Sequence, residues 1–157
     1  QMTEETLLSA ATGEPTGAGT GDESGGTTAA MRILIADDSA SIRRYVRNRL
    51  EELSDDGTSL EFAEAGDGRE AVALAGERDF DVVFLDVEMP RMDGLEACRA
   101  IKEVSGTRVV ILSSLTTAAD HRSGRDAGCD NYLTKPPNDS DLKVILRLVS
   151  ISTATRS

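Results

Sequence analysis

Short apolar runs alternate with amphipathic segments along the chain from Arg32 onward. Apolar or strictly alternating runs predict five strands, and apolar residues spaced three or four positions apart predict five helices. The predicted strands are 33–36, 60–65, 82–85, 109–112 and 131–134. Asp38 or Ser39 is predicted to cap the first helix, which stops at the turn signal 55–57. The other helices are predicted to cover 67–75, 93–105, 118–127 and 140–149.

This alternation predicts the class of fold. Five strand–helix units with short connections favour one parallel sheet with helices on both faces, because parallel neighbours need a crossover between them. The alternating pattern of 60–65 is typical of an edge strand. Ligands of such sheets bind beyond the carboxyl ends of the strands. Polar residues that follow strands one, three, four and five should therefore meet at one edge.

The first thirty residues differ in composition from the rest of the chain. Residues 1–30 contain six Gly and seven Thr but no Lys or Arg. Little apolar surface is available there to offset the entropy of ordering, so the segment is predicted to be a disordered tail. The predicted organisation is this tail, one domain over 31–150, and a short second tail over 151–157.

Charge and composition exclude some functions. The formal net charge of the chain is −11, which argues against binding to nucleic acid or anionic membranes, because either would be repelled. No apolar run is long enough to span a bilayer, and no secretory signal is visible at the start, which predicts a cytoplasmic protein. Cys98 and Cys129 share no metal-ligand spacing and are interpreted as two reduced core thiols.

The residues that follow the predicted strands carry the candidate chemistry. Asp37 and Asp38 follow strand one, and Asp86 ends strand three. Three converging carboxylates repel one another unless a cation lies among them, and oxygen ligands suit Mg²⁺. Ser113 and Lys135 end strands four and five and supply a hydroxyl and a positive charge. A carboxylate nucleophile, a metal, a hydroxyl and a cation are the groups that phosphoryl transfer needs.

Four segments together resemble those of the response-regulator receiver domains of two-component signalling. They are Ile33–Ser39 (ILIADDS), Asp86–Gly94 (DVEMPRMDG), Ser113 and the pair Lys135–Pro136. The resemblance runs from Met31 to about Val149. It implies a flavodoxin-like fold of five strand–helix units with strand order 2-1-3-4-5.

The resemblance also implies how a phosphoryl group and Mg²⁺ are bound. Asp86 would be the phosphoacceptor, with a histidine kinase or a histidine phosphotransfer protein as donor. Asp38 and Asp86 would bind Mg²⁺ directly, Asp37 through water, and Glu88 through its backbone carbonyl. Such a domain is a self-phosphorylating and self-dephosphorylating acceptor rather than a turnover enzyme.

The remaining implied roles concern signal output. Ser113 and Lys135 would grip the phosphoryl group, and Tyr132 resembles the aromatic switch whose rotamer follows Ser113. The surface of helix four, strand five and helix five would then change to meet an effector. The Lys135–Pro136 bond is expected to be cis. His121, the only histidine, is expected on the exposed side of helix four and is not a credible phosphodonor.

Other functions remain open from the sequence. The chain fits a free-standing receiver, or the first part of a longer regulator with an enzymatic output such as a methylesterase or diguanylate cyclase. A Mg²⁺-dependent aspartyl phosphatase is disfavoured, because such enzymes carry a second Asp two residues after the first-strand nucleophile, where this chain has Ser39. A receiver fold that no longer signals by phosphate is disfavoured by the intact acidic set.

Overall fold

The structure, a computed structural model, describes residues 30–54 and 58–156, with the side chains of 152–156 left out. The strands are Met31–Ala36 (β1), Leu60–Ala65 (β2), Val82–Asp86 (β3), Arg108–Ser113 (β4) and Asn131–Thr134 (β5). The helices are Ala40–Leu53 (α1), Gly68–Glu77 (α2), Gly94–Val104 (α3), Ala118–Asp126 (α4) and Asp139–Arg156 (α5). The predicted tail, except residue 30, and the turn signal 55–57 lie outside the described residues.

The five strands form one parallel sheet in the order β2-β1-β3-β4-β5, which confirms the predicted fold class and strand order. β2 lies at an edge, as its alternating pattern indicated. The register aligns the carboxyl ends of the central strands: Ala36 pairs with Leu85, and Asp86 pairs with Leu112. The residues that follow β1, β3 and β4 therefore meet at one edge of the sheet.

Aliphatic side chains bury both faces of the sheet. On one face, apolar residues of β1, β3 and β4 pack against α1 and α5, with Val46, Leu50, Leu142 and Ile145 among the buried helical residues. On the other face, alternate residues of the same strands pack against α2 and α3. Because the central strands are covered on both sides, they are continuous apolar runs, as parallel strands usually are.

Side-chain capping fixes where the first three helices begin. Ser39, Asp67 and Asp93 are the N-caps of α1, α2 and α3, and each side chain accepts a hydrogen bond from the backbone N–H three residues later. This arrangement satisfies a backbone donor that has no partner within the helix. The caps explain why α2 and α3 each start one residue later than the sequence pattern indicated.

The last helix is longer than predicted. α5 extends to Arg156, whereas the apolar spacing predicted an end near Val149. The segment that follows Val149 contains neither Pro nor Gly, so it lacks the residues that most strongly end a helix. The apolar face shows how far α5 packs on the sheet, and it does not determine where the helix stops.

The two cysteines are free, as the sequence indicated. Cys98 is fully buried and Cys129 is half-buried. Burial raises the pKa of the Cys98 thiol to about 12, so this thiol stays protonated at neutral pH. Within the described ranges, no helix is both long and apolar enough to cross a bilayer.

Candidate functional site

Three aspartates form an acidic cluster at the carboxyl edge of the sheet. Asp37 and Asp38 directly follow β1, and Asp86 is the last residue of β3. One carboxylate oxygen from each can be chosen so that all three lie within 4.8 Å of one another. Asp37 and Asp86 are buried, whereas Asp38 is exposed. The sequence prediction that these residues converge is confirmed by this geometry.

Burial and neighbouring groups shift the pKa of the Asp86 carboxyl in both directions. Burial raises the pKa of the Asp86 carboxyl, hydrogen bonds from Lys135 and from the backbone of Glu88 lower it, and the charge of Asp37 raises it further. The net result is a pKa above the ordinary value. The cluster consists only of oxygen donors and carries excess negative charge, and this combination is suited to a hard cation such as Mg²⁺.

Lys135 lies between two of the carboxylates. Its Nζ atom is 3.0 Å from Oδ2 of Asp37 and 3.1 Å from Oδ1 of Asp86. Burial alone would lower the pKa of Lys135, but the hydrogen bonds to the two carboxylates outweigh it and the pKa lies above its ordinary value. The side chain is therefore a fixed positive charge at neutral pH. The sequence predicted a positive charge here, and the structure shows that it pairs with both Asp37 and Asp86.

An arginine of α1 fixes the loop that carries Asp37. Arg43 donates from Nη1 to the backbone carbonyl of Asp37 at 2.6 Å and from Nε to Glu64 at 2.8 Å. The Asp37 side chain also accepts from the Ser39 N–H at 2.8 Å. Arg43 was not among the site residues predicted from the sequence. Its position in the first turn of a helix was the available signal, because side chains there lean back toward the preceding loop.

Ser113 lies at the same edge of the sheet. The residue is buried at the end of β4, and its Oγ accepts a hydrogen bond from the Leu115 N–H at 2.9 Å. Its backbone carbonyl accepts from the Lys135 N–H at 2.9 Å. The Lys135–Pro136 peptide bond that follows is cis, as predicted. Ser113 and Lys135 are thus held side by side through their backbones.

Tyr132 connects β5 to the loop between β4 and α4, residues 114–117. Its hydroxyl donates to the backbone carbonyl of Leu115 at 2.5 Å, two residues after Ser113. Its ring lies 4.3 Å from the ring of His121, centroid to centroid. His121 is half-buried against this ring and so does not lie on the open side of α4, where we expected it. If this loop rearranges, either the hydrogen bond from Tyr132 to Leu115 breaks or the Tyr132 side chain moves with the loop.

Gly124 makes room for the Tyr132 ring, and replacing it with Ala is expected to destabilise the protein. An added Cβ would lie 2.7 Å from Cδ2 of Tyr132 and 3.3 Å from Sγ of Cys129. Overpacking of this kind costs about 1–3 kcal/mol, which exceeds the gain of about 1 kcal/mol from Gly to Ala within a helix. The matched control is Gly76→Ala in α2, where nothing lies within 4 Å. Urea unfolding should show a less stable Gly124→Ala and a more stable Gly76→Ala, and equal gains would contradict the steric account.

Glu88 lies in the loop between β3 and α3, residues 87–93. Its side chain is exposed. The loop is closed by a hydrogen bond from the Gly94 N–H to the Val87 carbonyl at 2.8 Å. A Cβ at position 94 would lie 2.1 Å from the backbone oxygen of Asp86, so only glycine allows this close return of the chain. The loop is thereby folded back onto the end of β3.

The fold and this edge define a class, the doubly wound parallel α/β proteins with a charged site at the carboxyl end of the sheet. A family model for the response regulator receiver domain matches residues 33–147. The chain therefore belongs to the response-regulator receiver domains of two-component signalling.

Relatives and solved structures agree with this assignment. The chain is 38% identical over 120 residues to the transcriptional regulatory protein ResD of Bacillus subtilis, covering 76% of this chain and 47% of ResD. It is 40% identical over 107 residues to the response regulator MprA of Mycolicibacterium vanbaalenii, covering 68% and 44%. The chain thus spans less than half the length of these relatives. The chemotaxis protein CheY4 of Vibrio cholerae has 35% identity and a TM-score of 0.65, covering 77% of this chain and 99% of CheY4.

Proposed function

We propose that this receiver domain accepts a phosphoryl group on Asp86 in the presence of Mg²⁺. One observation supports this role above all others. One oxygen from each of the three carboxylates lies within 4.8 Å of the other two, and the Nζ atom of Lys135 lies 3.1 Å from Oδ1 of Asp86, the proposed acceptor. A nucleophilic oxygen between a cation site and a fixed positive charge is suited to attack on an anionic phosphoryl group.

The acidic cluster is the proposed cation site. Asp38 and Asp86 would bind Mg²⁺ directly, Asp37 would bind through water, and the backbone carbonyl of Glu88 would complete the protein ligands. The donor set fits, because hard oxygen ligands with few protein contacts leave room for water and phosphoryl oxygens. When bound, Mg²⁺ supplies positive charge to the phosphoryl oxygens during transfer.

The proposed transfer is an in-line displacement. A carboxylate oxygen of Asp86 attacks the phosphorus of a phosphohistidine, the new P–O bond forms, and the P–N bond breaks. The leaving imidazole keeps the electron pair of that bond and takes a proton. Lys135 donates to one phosphoryl oxygen. Ser113, whose Oγ already accepts from Leu115, has its own hydrogen available to donate to another.

The same contacts link the acceptor to an output surface. When the Ser113 hydroxyl donates to a phosphoryl oxygen, its oxygen is drawn toward the phosphoryl group, and the Leu115 N–H that donates to this oxygen is drawn with it. Movement of the loop 114–117 then strains the hydrogen bond from Tyr132 to the Leu115 carbonyl. We propose that Tyr132 changes rotamer as a result and alters the surface of α4, β5 and α5.

The proposed donor is a histidine kinase or a histidine phosphotransfer protein of the cytoplasm. Two of the relatives named above are a transcriptional regulator and a response regulator, and we favour control of transcription over a methylesterase or cyclase as the output. Residues 31–150 carry 23 Asp and Glu against 16 Lys and Arg, and this excess of negative charge disfavours DNA binding by the receiver itself. The domain accepts and loses its own phosphoryl group and is not a turnover enzyme.

Phosphorylation by a small donor tests the proposal directly. Wild-type protein incubated with acetyl phosphate and Mg²⁺ should gain one phosphoryl group by intact-mass spectrometry, and peptide mapping should locate it on Asp86. Chelation of Mg²⁺ should remove the labelling, because the phosphoryl charge then lacks its main counter-charge. Labelling at any other residue, or equal labelling in chelator, contradicts the proposal.

A further inference from the structure

The loop 87–93 is tied to the start of α2 by an ion pair. Arg91 donates from Nε to Oδ2 of Asp67 at 2.8 Å, and its Nη2 lies 2.7 Å from the same oxygen. Asp67 is also the N-cap of α2, because its other oxygen accepts from the Glu70 N–H at 2.8 Å. The Asp67 side chain is only 11% exposed. This carboxylate therefore holds the loop and the helix together.

Backbone contacts at Gly68 add to this attachment. A Cβ at Gly68 would lie 2.0 Å from the backbone oxygen of Met92, so the first residue of α2 touches the loop directly. At the other end of the loop, the Gly94 N–H donates to the Val87 carbonyl at 2.8 Å. The segment between these two points contains Glu88.

The conformation of Arg91 indicates that its side chain has a specific task. Its φ angle is +67°, in the left-handed region where glycine is favoured and a longer side chain costs free energy. Glycine would form the same turn without strain. Arginine is strained in this conformation, but its side chain forms the contact with Asp67, which glycine cannot form.

We infer that the Asp67–Arg91 ion pair is a positioning device for the cation site, holding the loop 87–93 so that the Glu88 carbonyl is presented beside Asp86. The inference rests on the proposed role of Glu88 as a Mg²⁺ ligand. Neither Asp67 nor Arg91 touches the ion in this account. They act through the loop backbone, and removing either should allow the carbonyl to move away.

Arg91→Gly separates positioning from electrostatics. Loss of a positive charge near an acidic cluster would by itself strengthen Mg²⁺ binding, whereas loss of loop support weakens it. We expect the Mg²⁺ dissociation constant, measured by calorimetric titration, to rise about 3–10-fold, near the low end for the loss of a group that orients a metal ligand. Glycine suits the positive φ, so the fold should be kept.

Asp67→Asn is the partner variant. Asparagine caps a helix as well as aspartate does, so α2 should be retained while the ion pair is lost. The same rise in the dissociation constant is expected, and the double variant should bind no more weakly than either single variant, because both changes remove one interaction. Arg69→Ala, which removes an exposed arginine from the same helix turn, is the matched control and should bind like wild type.

Two metal-free measurements complete the test. The midpoint of thermal unfolding should change little in Arg91→Gly, and amide hydrogen exchange at Gly94 should become faster without Mg²⁺. Unchanged Mg²⁺ affinity in both single variants, or additive losses in the double variant, would overturn the inference and leave the proposed function standing. A wild-type protein that binds no Mg²⁺ would overturn both.

Discussion

The Asp86→Asn variant is expected to take up no phosphoryl group and, without Mg²⁺, to be more stable than the wild type. An amide oxygen is a poor nucleophile, and it cannot form the acyl phosphate, so labelling by acetyl phosphate should fall to background. The gain in stability follows from the site itself. Burial and the charge of Asp37 raise the pKa of Asp86, which means that the folded protein is destabilised by the ionised form.

The sign of this effect gives a pH dependence. A carboxyl whose pKa is raised by folding reduces stability as the pH rises from its unfolded pKa through its higher folded pKa, so the penalty grows with pH over that range. The asparagine variant should therefore exceed wild type by about 1 kcal/mol at neutral pH in urea unfolding. The difference should shrink as the pH falls to about 4, the ordinary carboxyl pKa. Mg²⁺ should stabilise only the wild type strongly, since ligands stabilise the state that binds them.

Asp93→Asn provides a matched control for this comparison. Asp93 is exposed at the N-cap of α3 and accepts from the Glu96 N–H at 2.9 Å, a role that asparagine fills equally well. This variant should be labelled at the wild-type rate and respond to Mg²⁺ as wild type does. Labelling of Asp86→Asn, or a stability below that of wild type at neutral pH without Mg²⁺, would count against the proposed acceptor.

The fold was predictable because parallel strands buried on both faces leave a strong pattern. The runs at Ile33 and Val82 are apolar throughout, and each is followed by a helical pattern of ordinary length. Helix ends were less predictable. Asp67 and Asp93 were counted as helical residues, although each acts as a cap, and α5 continued past Val149. Caps and helix ends depend on local hydrogen bonds that apolar spacing does not report.

The candidate site was predictable to the extent that strand ends define it. Asp37, Asp38 and Asp86 converge because the carboxyl ends of parallel neighbours share one edge. Contacts made by side chains from elsewhere were not predictable in the same way. The reach of Arg43 to the Asp37 carbonyl depends on a rotamer. The packing of His121 against Tyr132 depends on how α4 is rotated over β5.

The Asp67–Arg91 ion pair also could not be predicted from the sequence. The two residues lie 24 positions apart, in different loops, and no periodicity links them. A positive φ at Arg91 is invisible in the sequence, because arginine is not a residue that marks such turns. The contacts that hold the loops around the site can therefore be identified only from the folded structure. The residues at the strand ends can be identified from the hydrophobic pattern of the sequence.

The Lys135→Ala variant is expected to separate cation binding from phosphoryl transfer. Loss of the ammonium group removes a fixed donor to the migrating phosphoryl group, and loss of one such donor slows transfer by about 10²–10³-fold. Mg²⁺ binding should be equal or tighter, because a positive charge 3.0–3.1 Å from Asp37 and Asp86 has been removed. Calorimetric titration and the rate of labelling by acetyl phosphate measure the two effects independently.

The stability of the Lys135→Ala variant provides a second test of the role of Lys135. Without the lysine and without Mg²⁺, two buried carboxylates lie close together with no positive charge between them. The variant should therefore lose about 2 kcal/mol in urea unfolding, and Mg²⁺ should restore much of it. Lys143→Ala, at an exposed position of α5, is the matched control and should change none of these measurements. If Lys135→Ala were labelled as fast as Lys143→Ala, the ammonium group would be a structural counter-ion only. A slow rate combined with unweakened Mg²⁺ binding would place the role of the lysine in the transfer step, at Asp86 or at the phosphoryl group, and not in holding the cation.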